Sequence, residues 1–193
     1  MAVPPRPSTS TPASSPPGAT STLAGPPRYV FPVAGEATYA HTHHDYPAAD
    51  IIADCGLTVR AVTDGIVLEV NRIDTWQAAT NLGATRGGLF VSILGDDDVR
   101  YYGSHLSVVA PALDAGSRVA AGDEIGKVGR TGDASICHLH FGISPPCART
   151  GDWAVRRGVV WPWPYLDSWR AGTGQSAVGE VAGWLATHDC AGG

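Results

Sequence analysis

From residue 29 to residue 144 the chain runs as short apolar stretches broken by turn residues. Asp50-Ile51-Ile52-Ala53, Thr58-Val59-Arg60-Ala61-Val62, Ile66-Val67-Leu68-Glu69-Val70, Gly88-Leu89-Phe90-Val91-Ser92-Ile93-Leu94 and Val99-Arg100-Tyr101-Tyr102 each read as a strand. Asp64-Gly65 and Gly95-Asp96-Asp97-Asp98 lie between them as hairpin signals. Cys137-His138-Leu139-His140-Phe141-Gly142-Ile143 alternates with a period of two, so one strand face is apolar and the other carries both imidazoles. At about 3.3 Å of rise per residue, His138 and His140 stand roughly 7 Å apart and point the same way. Strands recurring this often with no helical pattern between them predict an all-β core, an antiparallel sheet or sandwich.

Other segments depart from this rhythm. Residues 71–87 hold Trp76 and a run of small residues, and a loop of that length in a compact domain suits a lid or a groove wall. Trp76 either stacks on a ligand or covers the core. Gly116 to Gly129 has Val119, Ile125 and Val128 as apolar anchors and a tight turn at Gly122-Asp123. That stretch is similar to the turn of biotinyl and lipoyl carriers, but the surroundings of Lys127, the only lysine, do not fit a carrier. Trp153, Trp161, Trp163 and Trp169, with Tyr165, crowd a C-terminal segment expected to pack against the sheet rather than bind carbohydrate. Ser176 to His188 places Val178, Val181, Ala182 and Leu185 at helical spacing, a short terminal helix with an apolar stripe. His188 is read as a solvated helix-end residue. Residues 3–27 are Pro, Ser, Thr, Ala and Gly without periodicity, too poor in large apolar groups to offset the entropy of ordering. The organisation expected is a disordered tail or linker over 1–28, a core over 29–150, and a Trp-rich extension over 151–193 packed on it.

Composition narrows the function. A chain of 193 residues holds one domain with a real core, and 24 Gly with 15 Pro suit a turn-rich β protein. The net charge of -5 and the absence of a basic stripe argue against nucleic acid as a partner. No apolar run reaches the length of a membrane span, and the N-terminus has no apolar signal-peptide region. Cys55, Cys137, Cys147 and Cys190 contain no CxxC pair, which favours disulfides in an oxidising compartment over free thiols. A strand over 138–144 would hold Cys137 and Cys147 too far apart to be partners.

A catalytic zinc needs three nitrogen or oxygen ligands and an open position. His43-His44 followed by Asp50, His105 in Gly103-Ser104-His105-Leu106, and the pair His138 and His140 all fall at strand ends or on strand faces. On these motifs the sequence resembles the lysostaphin-type (LytM-type) zinc metallopeptidases, which cut peptide bridges and stems in bacterial cell walls. The family's signature is a His-x-x-x-Asp box, a later histidine before Leu, and a closing His-x-His strand. Phe31-Pro32-Val33-Ala34-Gly35, Asp64-Gly65-Ile66-Val67 and Val119 to Gly132 are similar to further landmarks, so the resemblance spans residues 29–146. The box itself is longer here: Tyr46 stands where the family has histidine, and His44 lies six residues before Asp50, His43 seven.

The resemblance implies a duplicated-hybrid-motif-like peptidase core with Zn²⁺ bound by His44, Asp50 and His140. His43 is the alternative first ligand, and the unused histidine and His41 are outer or exposed residues. It further implies that His138 is the general base and acid, with His105 orienting the water or stabilising charge. The expected function is a zinc endopeptidase acting on peptidoglycan peptides, secreted or in the cell envelope of a bacterium, as a monomer. The alternative is a non-catalytic relative that activates wall amidases, and a third possibility is a glycan-binding module led by the Trp-rich tail. The choice of bond is expected to lie in groove loops such as 71–87.

Overall fold

The fold was described from a computed structural model, which covers Met1, residues 28–147, residues 152–188 and Cys190. The expected tail over residues 3–27 lies outside the described residues. Eleven strands run in chain order: β1 (Val33–Ala34), β2 (Ala37–Thr38), β3 (Ala49–Ala53), β4 (Thr58–Arg60), β5 (Gly65–Asn71), β6 (Leu89–Gly95), β7 (Arg100–Leu106), β8 (Val108–Val109), β9 (Arg118–Val119), β10 (Glu124–Lys127) and β11 (His138–Ser144). Three helices follow: α1 (Trp153–Arg156), α2 (Trp163–Arg170) and α3 (Val178–Leu185). The strands form a seven-stranded sheet in the order β2-β3-β11-β7-β6-β5-β9 and a four-stranded sheet in the order β1-β4-β10-β8. Every pairing is antiparallel, as the alternating pattern predicts.

The core lies between the two sheets. Ile51 of β3, Tyr101 of β7 and Leu139, Phe141 and Ile143 of β11 point into it from the large sheet, and Val33, Val59 and Ile125 from the small one. Leu139 and Ile143 are wholly buried, and at about 1.5–3 kcal/mol for each large apolar side chain this burial fixes the register of β11. A one-residue slip would turn both histidines into the core.

The C-terminal extension closes the far side. Trp169 of α2 stacks on Tyr29 at 5.5 Å between ring centres and meets Tyr101 and Phe141 edge-on. Trp161 is exposed, and Trp163 stacks on His41 at 4.4 Å. In α3 only Val181 is buried, whereas Val178 and Leu185 of the expected stripe are exposed. His188 is exposed and stacks on Trp184. Trp76 belongs neither to the core cluster nor to the cleft lining.

Disulfides join Cys55 to Cys137 and Cys147 to Cys190, with Cα separations of 5.3 and 5.4 Å. The first ties Cys55, two residues past β3, to the residue before β11, and those strands carry Asp50, His138 and His140. No helix among the described residues is long and apolar enough to cross a membrane.

Candidate active site

The other face of the large sheet forms the floor of a cavity of about 600 Å³ lined by the histidines and by Asp50. Antiparallel register puts His140 opposite Asp50 of β3 on one side and opposite Ser104 of β7 on the other. Asp50 is therefore next to His140 because the ladder places it there. His140 Nδ1 lies 3.0 Å from Asp50 Oδ1, and His138 Nε2 lies 3.7 Å from the same oxygen.

His105 reaches the floor by breaking the alternation. Tyr102 and Ser104 line the cavity, so a regular strand would send His105 into the core and Leu106 into the cleft. Against β6, Leu89 pairs with Leu106 but Val91 pairs with Gly103, so β7 carries one extra residue at this point. His105 takes up that bulge with φ of 63°, a left-handed conformation uncommon for a residue with a side chain. The imidazole swings into the cleft, 4.6 Å from the His138 ring, and Leu106 returns to the core.

The protonated nitrogens follow from the acceptors, since a backbone carbonyl can only accept. His105 Nδ1 donates to the Thr131 carbonyl at 2.8 Å and His138 Nδ1 to the Ile136 carbonyl at 3.0 Å. His43 Nδ1 donates to the Tyr46 carbonyl at 3.2 Å. In its neutral form each of these rings keeps a bare Nε2. His140 is turned the other way: its Nε2 donates to the Arg157 carbonyl at 2.9 Å, which leaves Nδ1 facing Asp50.

Asp50 is half-buried, and burial alone would raise its pKa. The flanking His140, His43 and His138 imidazoles outweigh this and, when protonated, hold the carboxyl well below the usual range. His105 is pushed down to about 4, first by burial and then by repulsion from His140 and His138. It is neutral at pH 7.

The His43-His44 pair lies across the cleft from β11. His43 is buried, with Nε2 3.5 Å from Asp50 Oδ1 and its ring 5.2 Å from that of His140. His44 is exposed, although a ring nitrogen of it lies within 4.8 Å of a ring nitrogen of His43 and a carboxylate oxygen of Asp50. His41 is away from the cleft and pairs with Asp167 at 3.2 Å. The longer box thus brings both histidines near Asp50, with His43 the inner one.

Sequence reasoning missed the C-terminal wall. α1 lies over β11, where a Cβ on Gly142 would fall 2.3 Å from the Arg157 carbonyl oxygen. The missing side chain admits the backbone that accepts from His140. Glycine two residues after the His-x-His pair on the same strand face was the available signal, whereas its partner, a main-chain carbonyl, has no sequence signature. The wall is anchored by Arg100 and Asp152, both buried and 2.7 Å apart, with Arg100 Nε donating to Ser144 Oγ at 2.9 Å. The pair is ionic rather than a well-aligned hydrogen bond, since Asp152 Oδ2 has no hydrogen-bond donor among the described residues. Trp153 closes against Gly83 of the 71–87 loop, and Gly83, Ala84, Arg86 and Gly87 line the cleft.

The histidine and aspartate cluster on the face of an antiparallel sheet is a candidate metal centre. Residues 44–151 match peptidase family M23, and the chain belongs to that family. Among solved structures, the catalytic domain of the antimicrobial peptidase lysostaphin from Staphylococcus simulans is similar at 22% identity and a TM-score of 0.53, over 68% of this chain and 93% of that one. LytM from Ruminococcus gnavus is similar at 22% identity and a TM-score of 0.57, over 76% of this chain and 62% of that one. A family M23 protein from Pseudomonas aeruginosa is similar at 20% identity and a TM-score of 0.53, and this chain spans only 54% of it. No curated protein matches the sequence. The likenesses support the fold, and the two-sheet architecture with short C-terminal helices is that of the family.

Proposed function

We propose that the protein is a zinc-dependent endopeptidase that hydrolyses peptide bonds in bacterial peptidoglycan, working outside the cytoplasm. The observation that carries this reading is the set of bare donor atoms around Asp50. His43 Nε2 and His140 Nδ1 stand 3.5 and 3.0 Å from Asp50 Oδ1, and tetrahedral zinc with bonds of about 2.1 Å wants neighbouring donors about 3.4 Å apart. The other nitrogen of each ring is tied to a carbonyl, the usual means of orienting a metal-binding imidazole. The donor set fits the metal. This reading takes Asp50 and His140, the residues the sequence pointed to, as ligands, and between His43 and His44 burial and distance favour His43.

When bound, zinc would polarise the scissile carbonyl and raise the acidity of a water. His138 Nε2 is bare and stands at the cleft floor, so His138 takes the proton of the attacking water and returns it to the leaving amine. His105, neutral with a bare Nε2, accepts a hydrogen bond from that water and orients it. A neutral ring with only that nitrogen free cannot donate to an oxyanion, so charge on the tetrahedral intermediate falls to His138 once protonated.

Both disulfides are consistent with an oxidising, extracytoplasmic setting. The test is zinc content by elemental analysis on wild type, His140→Ala and Asp50→Ala, each paired with turbidity loss on purified peptidoglycan. About one zinc per chain with lysis, both lost in the variants, is the expected result. A wild type that holds no zinc under non-stripping conditions would sink the enzyme and promote the amidase-activating alternative.

A further inference from the structure

We propose that the Arg157 guanidinium is a carboxylate-binding group of the cleft, so that the peptide cleaved carries a free, unamidated carboxylate beside the scissile bond. This rests on the peptidase reading and deepens it by naming a chemical requirement of the substrate.

The arginines at the cleft are unequally partnered. Arg156 lies over the Phe90 ring at 4.3 Å and donates to Glu69 at 2.7 Å. Arg86 bonds to Asn81 and lies 3.6 Å from Asp133. Arg100, beneath the wall, is neutralised by Asp152. Arg157 alone of these has no carboxylate within ion-pair distance among the described residues, and its Nε is buried with no acceptor. The one acidic side chain outside the described residues is Asp189.

Its surroundings hold the charge in place without cancelling it. The guanidinium sits 3.7 Å from the centre of the Tyr46 ring and 5.1 Å from that of Trp153. Neither ring brings a carboxylate to it. Stacking occupies the faces of a guanidinium and leaves its in-plane N–H donors for a planar acceptor. A partly buried cation held this way loses little further freedom on pairing, so a carboxylate that reaches it gains more than at an open surface.

Position ties the group to the reaction. Arg157 and His140 are linked through the main-chain carbonyl of Arg157, and both residues line one cavity with His138. A carboxylate on Arg157 therefore belongs to a residue adjoining the bond presented to His138. A γ-linked glutamate or a diamino dicarboxylic acid leaves such a carboxylate on a stem peptide. An uncharged glycyl bridge does not.

The experiment compares two synthetic cross-linked stem peptides that differ only at this group, one with the free carboxylate and one with the primary amide. The zinc-loaded wild type is expected to show kcat/KM about 10–100-fold higher on the acid. Arg157→Gln is expected to bring the two within about threefold, chiefly by raising KM for the acid, and Arg157→Lys to keep part of the preference, because a lysine charge lacks the fork geometry. Zinc content and melting temperature of each variant separate this from damage to His140. Equal cleavage of both peptides by the wild type, or an equal loss on both in Arg157→Gln, would overturn the proposal. Should the wild type cleave neither, the peptidase reading fails on its own, and calorimetric titration of the same pair still decides. Tighter binding of the acid that Arg157→Gln abolishes would uphold the carboxylate site, and equal affinity would refute it.

Discussion

On the floor of the cleft, Asp50, His138 and His140 are held by strand register, with Leu139 and Ile143 locking β11 from below and a disulfide joining the ends of β3 and β11. The C-terminal wall has only a single bridge, from Ile143 to Val160: α1 has four residues and no side-chain cap, and is held by the buried Arg100–Asp152 pair, the Arg156–Glu69 pair and close approaches at Gly142 and Gly83. The two regions meet at His140, whose Nδ1 belongs to the floor and whose Nε2 is held by the wall. A proposed ligand oriented from both sides makes the wall part of the candidate site, although Arg157 lies beyond the matched family segment of residues 44–151.

Removing the wall's anchor should have the largest effect. Asp152→Ala leaves the Arg100 guanidinium buried and uncompensated, and breaking a buried pair on one side costs about 3–5 kcal/mol. The expected outcome is a lower denaturation midpoint in urea with reduced zinc affinity. Asp152→Ala combined with Arg100→Met should recover much of the loss in stability. A single variant as stable as the wild type would mean that the wall is not held by this pair.

Acid should act on the floor next. In the zinc-free protein His105 has a folded pKa of about 4 against an ordinary value near 6.5. Between those values the unfolded chain binds a proton that the folded one refuses, so falling pH favours unfolding. His105's contribution is fully present above about pH 6.5 and declines to about pH 4, a loss of about 3 kcal/mol. Asp50, held below the usual carboxylate range, extends the decline below about pH 4. Denaturation of chelated protein across this range, compared with His105→Gln, checks it. Identical curves above pH 4 would refute the assignment to His105.

The difference between floor and wall also explains what could be read from the chain. Period-two alternation fixes the face of His138 and His140, and the apolar run after Asp50 announces a strand, so the β core and the strands that carry most of the candidate site were legible. His105 was identified by its neighbours, but its route into the cleft was not, because a bulge depends on the pairing partner and leaves no pattern in one strand. The apolar stripe of α3 overstated the helix's burial, since Val178 and Leu185 face solvent. Arg157 was invisible as a positioning residue because its carbonyl acts and any residue has one.

A smaller effect tests the junction directly. Gly142→Ala puts a methyl group where the Arg157 carbonyl now sits, so either the strand or the wall must shift. His140 then loses or lengthens its outer hydrogen bond, a change worth about 10–100-fold in metal affinity. Chelator competition should report that loss, and nitrogen chemical shifts of His140 should show weakened Nε2–H bonding. Affinity unchanged within a factor of about two would mean that the floor alone orients His140.

The smallest expected change separates the two histidines of the lengthened box. His43 is buried, its Nδ1 is occupied by the Tyr46 carbonyl, and its bare Nε2 faces Asp50. His44 is exposed and makes no side-chain hydrogen bond among the described residues, so holding it as a ligand would require ordering a solvated side chain. His44→Ala should therefore change zinc affinity by less than about threefold and stability within about 0.5 kcal/mol, as expected of a surface substitution. His43→Ala should release the metal. The reverse result would return the first ligand to His44 and make His43 the residue that orients Asp50, with the remainder of the floor unaltered.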